Sequence, residues 1–301
     1  MNANKYYIAG NRGLVGSWYD KYLGYPDGGN SSVVDYADNK QTMEHITDSL
    51  PTHIILNAAS VGGLQEDLDR EYELLMKNLS IQNNIMCAAT KNNVERLLLQ
   101  GSACSYPEDA TMPFTEIQLM CGKIYDGYIT TALPKLIGMH QCRSSNRQFK
   151  TKWRTAINTN MFGPNDRSGE YAHVVGALMS KFVKAIKNDY TTIEVWGDGS
   201  QIRDLLYIED AISAMDLVLN NDKYDTVNIS SGYGISVREL VDMLCNISGF
   251  TGKIWFNENR LTGSKSRILD NSRLKSLGWY PRFDLLESLE ITYRWYYDNT
   301  R

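Results

Sequence analysis

The chain has 301 residues, and 43% of them are hydrophobic, which is enough to bury the core of one large domain or of two closely packed domains. A formal net charge of −4 argues against nucleic acid or an anionic membrane surface as the main partner, and no apolar run resembles a membrane span or an export signal. The five cysteines show no metal-ligating spacing, so we predict no metal site and reduced thiols in a cytoplasmic protein.

Short apolar runs alternate with longer helical patterns, which is typical of a parallel sheet with helices on both faces. A first strand is predicted over residues 6–9, followed by a glycine-rich turn and a short helix that breaks between Gly24 and Gly29. Further strands are predicted at residues 33–34, 53–56, 96–100 and 155–158, and helices at residues 42–49, 71–92, 237–247 and 285–297.

Beyond residue 158 the sequence becomes richer in glycine, asparagine and aspartate, and we place a boundary near Gly163-Pro164. The fold is therefore predicted to be α/β. We expect a Rossmann-type doubly wound parallel sheet that binds a dinucleotide in residues 1–162. A smaller C-terminal substrate-binding lobe is expected in residues 163–301, with some strands and helices crossing back to the first domain.

The turn after the first strand has the spacing of a dinucleotide-binding loop. Glycines at such a place allow a tight turn and let backbone N–H groups approach a pyrophosphate at the positive end of a helix. A glycine pattern alone is weak evidence, and a plain strand-to-helix turn is the alternative. The small residues Ala58 and Ala59, which follow the predicted strand 53–56, favour a cofactor across the strand ends. The loop residues are Gly10, Asn11, Arg12, Gly13, Leu14, Val15 and Gly16.

Seven motifs follow one another along nearly the whole chain. They are Gly10 to Gly16, Ala58 to Gly63, Gly101-Ser102-Ala103-Cys104-Ser105-Tyr106-Pro107, Thr159-Asn160-Met161-Phe162-Gly163-Pro164, His173-Val174-Val175, Val195 to Ser200 with Arg203-Asp204, and Leu277 to Tyr280. Together they resemble the motifs of the GDP-L-fucose synthases, which belong to the extended short-chain dehydrogenase/reductase family. Members of this family epimerise a GDP-linked 4-keto-6-deoxy sugar at C3 and C5 and reduce C4 with NADPH.

The resemblance implies roles for individual residues. Ser102 would hydrogen-bond the C4 oxygen, and Lys135 would hold the nicotinamide ribose. Cys104 and His173 would act as base and acid in epimerisation, since a thiolate can remove a proton next to a carbonyl and an imidazolium can return one. For each residue the alternative is a packed or hydrogen-bonded structural role. Further cofactor contacts are implied for Gly101, Asn160, Met161 and His173.

The tyrosine that donates the reductive proton in this family is missing. It lies four residues before the lysine, and that position is Thr131 in this chain. A threonine hydroxyl is a poor acid, although it can orient a water or the ketone. Tyr128 is the other candidate donor, or it serves packing or lies on the surface. Because Pro134 favours a first turn, we expect the helix to start near Thr131 and Tyr128 to lie in the preceding loop.

The adenosine pocket also departs from the family pattern, because the stretch from Gly16 to Asp38 is several residues shorter. No clear selector for the ribose 2′ position follows Val33-Val34. Asp35 is either the ribose residue or, with Asp38, part of an adenine-side turn. Arg12 favours NADP over NAD, and a solvated loop charge is the alternative interpretation of this arginine.

A nucleotide diphosphate needs convergent cations and a flat or apolar floor for its base. The resemblance implies Arg203, Lys181 and Arg260 as the cations, and Trp196 as a lining or a core residue. The leading hypothesis is NADPH-dependent C4 reduction of a GDP-linked 4-keto-6-deoxy sugar or 4-keto heptose for surface polysaccharide synthesis, by a homodimer, with or without C3/C5 epimerisation. The alternatives are an epimerase without net redox chemistry and a non-catalytic paralogue that binds sugar nucleotides.

Overall fold

The computed structural model describes residues 4–24, 27–61, 68–169, 172–260 and 263–300, so the motif residues Gly62 and Gly63 lie outside the described residues. The strands are β1 (Tyr6–Ala9), β2 (Gly28–Gly29), β3 (His53–Leu56), β4 (Arg96–Gln100), β5 (Lys152–Asn158), β6 (Asn160–Phe162), β7 (Thr192–Trp196), β8 (Ile202–Arg203), β9 (Leu205–Tyr207), β10 (Thr226–Ile229), β11 (Ile235–Ser236), β12 (Lys253–Asn257) and β13 (Ser266–Arg267). The helices are α1 (Leu14–Leu23), α2 (Asn39–Ser49), α3 (Glu71–Lys91), α4 (Ile129–Phe149), α5 (Val174–Lys187), α6 (Ile208–Asn220), α7 (Val237–Ser248), α8 (Ser272–Ser276) and α9 (Leu285–Asn299).

Six strands form one parallel sheet in the order β10-β5-β4-β3-β1-β2. In β1, Tyr7 and Ala9 face one apolar core and Ile8 faces the other, because successive side chains of a strand point to opposite faces. Helices α2 and α3 cover the first face, and α1 and α6 cover the second. The sheet is buried on both sides, so the predicted doubly wound fold is confirmed.

The second strand lies five residues earlier than the sequence predicts. It is the pair Gly28–Gly29, which aligns with the end of β1, whereas the amides of residues 33–34 bond back to the Asn30 carbonyl group in a turn. A β-carbon on the first of these glycines would overlap the carbonyl oxygen of Ile8, and one on the second would overlap the hydroxyl of Tyr36. The predicted strand at 33–34 is wrong because the contact with β1 requires glycine, a residue type that disfavours strands elsewhere.

The second lobe contains short strand pairs. Strand β7 pairs with β12 along five residues, β8 lies between β11 and β13, and β6 pairs with β9. Helices α5, α7 and α9 pack together and share one apolar core with the α1 and α6 face of the main sheet. Strand β10, which comes after residue 163, pairs with β5 and is the outer strand of the main sheet. The chain therefore crosses back into the first half of the molecule.

Candidate active site

The glycine-rich loop joins β1 to α1 at the carboxyl edge of the sheet. Gly10 has a φ of 88°, which favours glycine, and its N–H donates to the Gly29 carbonyl oxygen at 2.7 Å. A β-carbon on Gly16 would overlap the Gly10 carbonyl oxygen, so α1 can approach the loop this closely only with glycine there. The N–H groups of Leu14 and Val15 open the helix at its positive end, with no acidic residue in that turn. This cradle fits a pyrophosphate.

Asn30 follows β2, at the point where Rossmann folds meet the ribose 2′ position. Its Nδ2 donates to Asn11 Oδ1 at 2.9 Å, and its Oδ1 accepts from the Ser32 hydroxyl at 2.6 Å. Sequence reasoning missed Asn30 because it placed the second strand at residues 33–34. Arg12 is exposed and has no ion-pair partner within the described ranges, so its charge is available to a 2′-phosphate. The pocket therefore fits NADP.

The two aspartates of this region are tied to local backbone groups. Asp38 caps α2, since its Oδ1 accepts from the N–H of Gln41 at 2.9 Å. Asp35 Oδ1 accepts from the N–H of Ala37 at 3.0 Å. Both side chains are exposed, and the contact of Asp38 with the adenine side of a cofactor stays a prediction.

Helix α4 begins at Ile129, two residues before the position predicted for its start. Tyr128 ends a single 3₁₀ turn before the helix. Pro134 consequently lies inside the helix and provides no N–H for the carbonyl oxygen of Thr130. The side-chain amide of Asn78 on α3 donates to that oxygen at 3.1 Å instead. A side chain from a neighbouring helix thus satisfies the group that proline leaves unpaired, which sequence reasoning about α4 alone missed.

Thr131 and Lys135 lie one turn apart on α4 and reach the carboxyl end of β3. Both line a small cavity beside the two alanines predicted to contact the cofactor. Tyr128 does not line it. The lining residues are Ala58, Ala59, Val61, Asn78, Gln82, Thr131, Pro134 and Lys135.

Lys135 is surrounded by protein atoms but keeps some contact with solvent. This burial lowers the pKa of its ammonium group to about 8. Within the described part of the chain, no side chain or carbonyl group pairs with that ammonium group. The ammonium group is therefore a positive charge without a protein partner at the carboxyl end of β3. This fits its predicted role of holding the ribose hydroxyls of the cofactor.

Ser102 and Cys104 lie in a tight turn after β4. Gly101 at the strand end donates its N–H to the Ala156 carbonyl oxygen at 2.7 Å. The Ser102 hydroxyl accepts from the N–H of Cys104 at 3.1 Å and caps a 3₁₀ turn over residues 103–105. Both side chains remain half-buried, so they can still contact a ligand.

His173 is the residue immediately before α5, and part of its side chain is exposed. The surrounding protein and the nearby Arg167 guanidinium lower the pKa of this imidazole, so it is mainly neutral at pH 7. Asn160 and Met161 lie on β6, where Asn160 Nδ2 donates to the Asp204 carbonyl oxygen at 3.2 Å. The contacts of Asn160 and Met161 with the cofactor stay predictions.

Two arginines lie side by side in the second lobe. Arg203 on β8 and Arg267 on β13 are register partners of adjacent parallel strands. The Arg267 guanidinium packs 4.7 Å from the centre of the Tyr128 ring and donates to the Ala103 carbonyl oxygen at 2.7 Å. Burial, and to a smaller extent the neighbouring Arg267, lower the pKa of Arg203. Two positive side chains at paired positions of adjacent strands favour an anionic ligand. Sequence reasoning missed Arg267, because only the strand pairing reveals it.

The other predicted substrate residues form a separate group. Lys181 Nζ lies 5.4 Å and the Arg260 guanidinium 5.1 Å from the Trp196 ring centre. Arg260 also pairs with Glu194 at 3.3 Å, and Lys181 donates to the Glu194 carbonyl oxygen at 2.8 Å. The indole N–H of Trp196 is buried and has no protein acceptor among the described residues. A polar groove lined by Gly197, which follows Trp196 in the chain, extends to Gly263, beside Tyr128. The predicted cations therefore lie at two places along one surface.

Among the described residues, no helix is long and apolar enough to cross a bilayer, and no group of three or more His, Cys, Asp or Glu side chains could hold a metal ion.

Known proteins match this chain along nearly its whole length. A GDP-L-fucose synthase of Arabidopsis thaliana is 33% identical over 304 residues, which cover 98% of this chain and 94% of the relative. A GDP-L-fucose synthase of Escherichia coli K12 is 30% identical over 317 residues, covering 99% of this chain and 98% of the relative. Full-length matches of this kind confirm the resemblance drawn from the seven motifs.

Solved structures of similar sequence have the same fold along nearly the whole chain. A GDP-mannoheptose C4 reductase from Campylobacter jejuni with NADP bound has a TM-score of 0.85 and 27% identity, covering 98% of this chain and 99% of the other. A GDP-6-OMe-4-keto-L-xylo-heptose reductase from the same organism has a TM-score of 0.89 and 26% identity, covering 100% and 99%. A profile of the family described as "NAD dependent epimerase/dehydratase family" matches residues 6–230. The chain belongs to the NAD dependent epimerase/dehydratase family.

Proposed function

We propose that this protein reduces C4 of a GDP-linked 4-keto-6-deoxy sugar or 4-keto heptose with NADPH, in the cytoplasm, for surface polysaccharide synthesis. The observation that carries the proposal is the placement of Ser102 and Lys135 at the carboxyl end of the sheet, with the arginine pair Arg203 and Arg267 bonded to the backbone next to Ser102 through Arg267. The carboxyl end of the main sheet thus suits a dinucleotide, and the lobe that contains β8 and β13 suits a sugar diphosphate. Residues 163–301 are the substrate-binding lobe in this proposal.

When bound, the cofactor supplies a hydride to the sugar. The loop from Gly10 to Gly16 holds the pyrophosphate, and the Lys135 ammonium group holds the ribose through its N–H donors. The Ser102 hydroxyl donates to the C4 oxygen and orients the ketone. Arg203 and Arg267 bind the diphosphate, and the group around Trp196 contacts the nucleoside.

We infer that Cys104 and His173 carry C3/C5 epimerisation on the same substrate. Cys104 lies in the same turn as Ser102 and its side chain is only half-buried, which supports a base beside the ketone. Because the imidazole of His173 is mainly neutral at pH 7, proton return from it becomes more effective as the pH falls. An epimerase without net redox chemistry would use these two residues and leave Lys135 idle.

We further propose a homodimer through helices α3 and α4. These helices lie side by side, joined by a hydrogen bond of 2.6 Å from Gln141 to Asn83. Their outer surface carries Tyr72, Leu133 and Ile137, with exposed fractions of 76%, 37% and 39%. Sedimentation equilibrium tests this: a monomer at micromolar concentration would refute the proposal.

The test of function is incubation with a 4-keto GDP-mannose derivative and NADPH in deuterated water. The reductase predicted here consumes NADPH, seen as loss of nicotinamide absorbance, and incorporates deuterium at C3 and C5. Deuterium uptake without NADPH consumption would identify an epimerase, and a binding protein would show neither. The variant Lys135→Met serves as the control, because it should weaken NADPH binding and stop reduction.

A further inference from the structure

The cavity beside Thr131 has room for one water molecule. Its volume available to the centre of a water-sized sphere is about 10 Å³, close to the ~10–15 Å³ that a buried water needs. Gln82 reaches this cavity from α3 and is only 3% exposed. Its amide lies against Gly138, where a β-carbon would stand 2.6 Å from the Gln82 carboxamide carbon.

The orientation of the Gln82 amide is fixed by its partners. Nε2 donates to the Pro134 carbonyl oxygen at 2.9 Å and to Gln141 Oε1 at 3.0 Å. Since both partners are acceptors, the nitrogen must face them, and Oε1 must face the other way. That oxygen is buried and has no hydrogen-bond donor within the described residues. Buried polar atoms of this kind are usually satisfied by water.

Two further polar groups converge on the cavity. Thr131 and Lys135 are separated by one helical turn, so their side chains point to the same face of α4. Neither the Thr131 hydroxyl nor the Lys135 ammonium group has a partner among the residues that the structure describes. With Gln82 Oε1 they provide three groups, which is the usual number of contacts of a buried water.

We propose that a water molecule held by Gln82, Thr131 and Lys135 delivers the reductive proton to the C4 oxygen, in place of the tyrosine that this chain lacks. The inference rests on the proposed C4 reduction. Hydride addition from NADPH to C4 breaks the carbonyl π bond, and the oxygen takes a proton from the water as an O–H bond of the water breaks. The water regains a proton from the Lys135 ammonium group, which solvent reprotonates. The ketone is reduced to an alcohol and NADPH is oxidised to NADP⁺.

The geometry explains why a threonine can stand at this position. Its side chain is several ångströms shorter than that of a tyrosine, and a water of about 2.8 Å spans the missing length while keeping hydrogen-bond contact at both ends. The lowered pKa of Lys135, about 8, matches the proton source to neutral pH. Tyr128 is not equivalent, because its hydroxyl faces the second lobe, where a β-carbon on Gly263 would lie 2.8 Å from it.

Three variants test the relay. Thr131→Val keeps the shape of the side chain and removes its hydroxyl, and Gln82→Met removes the acceptor. We expect each to lower single-turnover C4 reduction by about 100-fold, with NADPH affinity, measured by cofactor fluorescence, unchanged. The matched control is Gln141→Glu, which keeps an acceptor oxygen for Gln82 Nε2 and so preserves the orientation of Oε1, and it should leave reduction unchanged. Wild-type rates of C4 reduction in both Thr131→Val and Gln82→Met would overturn the proposal. It would also be overturned if Tyr128→Phe abolished C4 reduction while Thr131→Val remained active, because Tyr128 would then be the proton donor.

A structure of the wild-type protein tests the relay without turnover or a variant, and a double variant separates a structural effect of Gln82 from the relay. A crystal structure of the wild-type protein should show an ordered water within hydrogen-bond distance of Gln82, Thr131 and Lys135, and a dry cavity overturns the relay even if the protein proves to be a reductase. Thr131→Tyr should displace that water and supply a phenol as the proton donor. Adding Gln82→Met to this variant should then leave the rate of C4 reduction unchanged. If Gln82→Met costs as much in that background, its effect is structural and the relay is wrong. A wild-type protein that never oxidises NADPH with the keto sugar instead refutes the proposed function.

Discussion

Replacing Asp204 by asparagine should destabilise the junction between the two lobes. The carboxylate is fully buried and accepts four hydrogen bonds, from the hydroxyls of Ser230 and Ser231 at 2.5 and 2.7 Å and from the N–H groups of Leu269 and Ser231 at 3.2 and 3.3 Å. Each carboxylate oxygen serves one hydroxyl and one backbone N–H. In either orientation, an asparagine NH₂ therefore leaves one buried backbone N–H without an acceptor.

An unsatisfied buried donor costs about 1–3 kcal/mol. Burial raises the pKa of Asp204 despite its four donors, so the charged side chain carries a desolvation cost that asparagine avoids. We therefore expect Asp204→Asn to lower the free energy of unfolding by about 2 kcal/mol. Urea unfolding followed by tryptophan fluorescence measures the change.

The matched control is Asp198→Asn. Its carboxylate also accepts several hydrogen bonds, including those from the Ser200 N–H at 2.9 Å and from Gln201 Nε2 at 3.0 Å, but it is exposed. Water can replace these partners, so the urea midpoint should move much less. An Asp204→Asn midpoint equal to or above that of the wild-type protein would refute the reasoning, because it would mean that the desolvation cost exceeds the value of the four bonds.

Three other predictions concern the candidate active site. Since the protonated form of Lys135 is required, C4 reduction should fall as the pH rises through about 8, and Lys135→Arg should move this limb of the pH profile of kcat upward. Arg167→Gln removes a positive neighbour and should raise the pKa of His173 in an NMR titration; an unchanged value would contradict the electrostatic coupling. Arg267→Met should weaken GDP binding by about 10- to 100-fold in calorimetry, as expected for the loss of charge-assisted hydrogen bonds. It should leave NADPH affinity unchanged, and loss of both affinities would indicate a folding defect.

Local patterns in the sequence predicted the parts of the site that are built locally. The loop from Gly10 to Gly16 and the turn with Ser102 and Cys104 both follow strands whose apolar runs are unambiguous, so their place at the sheet edge could be deduced. Strand β2 could not be deduced, because its two glycines form a strand only through contact with Ile8. Asn30, the candidate contact for the ribose 2′ position, directly follows this strand and was therefore missed.

The other site residues that the sequence did not predict are brought into place by contacts between distant segments of the chain. Arg267 becomes a partner of Arg203 only when β13 pairs with β8, although the two residues are separated by more than sixty positions in the chain. Gln82 reaches the cavity from α3, a helix whose sequence pattern predicts packing and no chemistry. Such residues can be identified only after the tertiary structure brings their side chains together.

The outer position of β10 has a consequence for biosynthesis on the ribosome. Strand β5 extends over seven residues, Lys152–Asn158, and β10 covers the outer edge of its last four, Thr155–Asn158. Until residue 229 has left the exit tunnel, that edge presents unpaired N–H and C=O groups that can join a strand from another nascent chain. A truncated polypeptide that stops near residue 162 would lack β10, so the outer edge of β5 would stay unpaired. We expect this polypeptide to accumulate as insoluble aggregate.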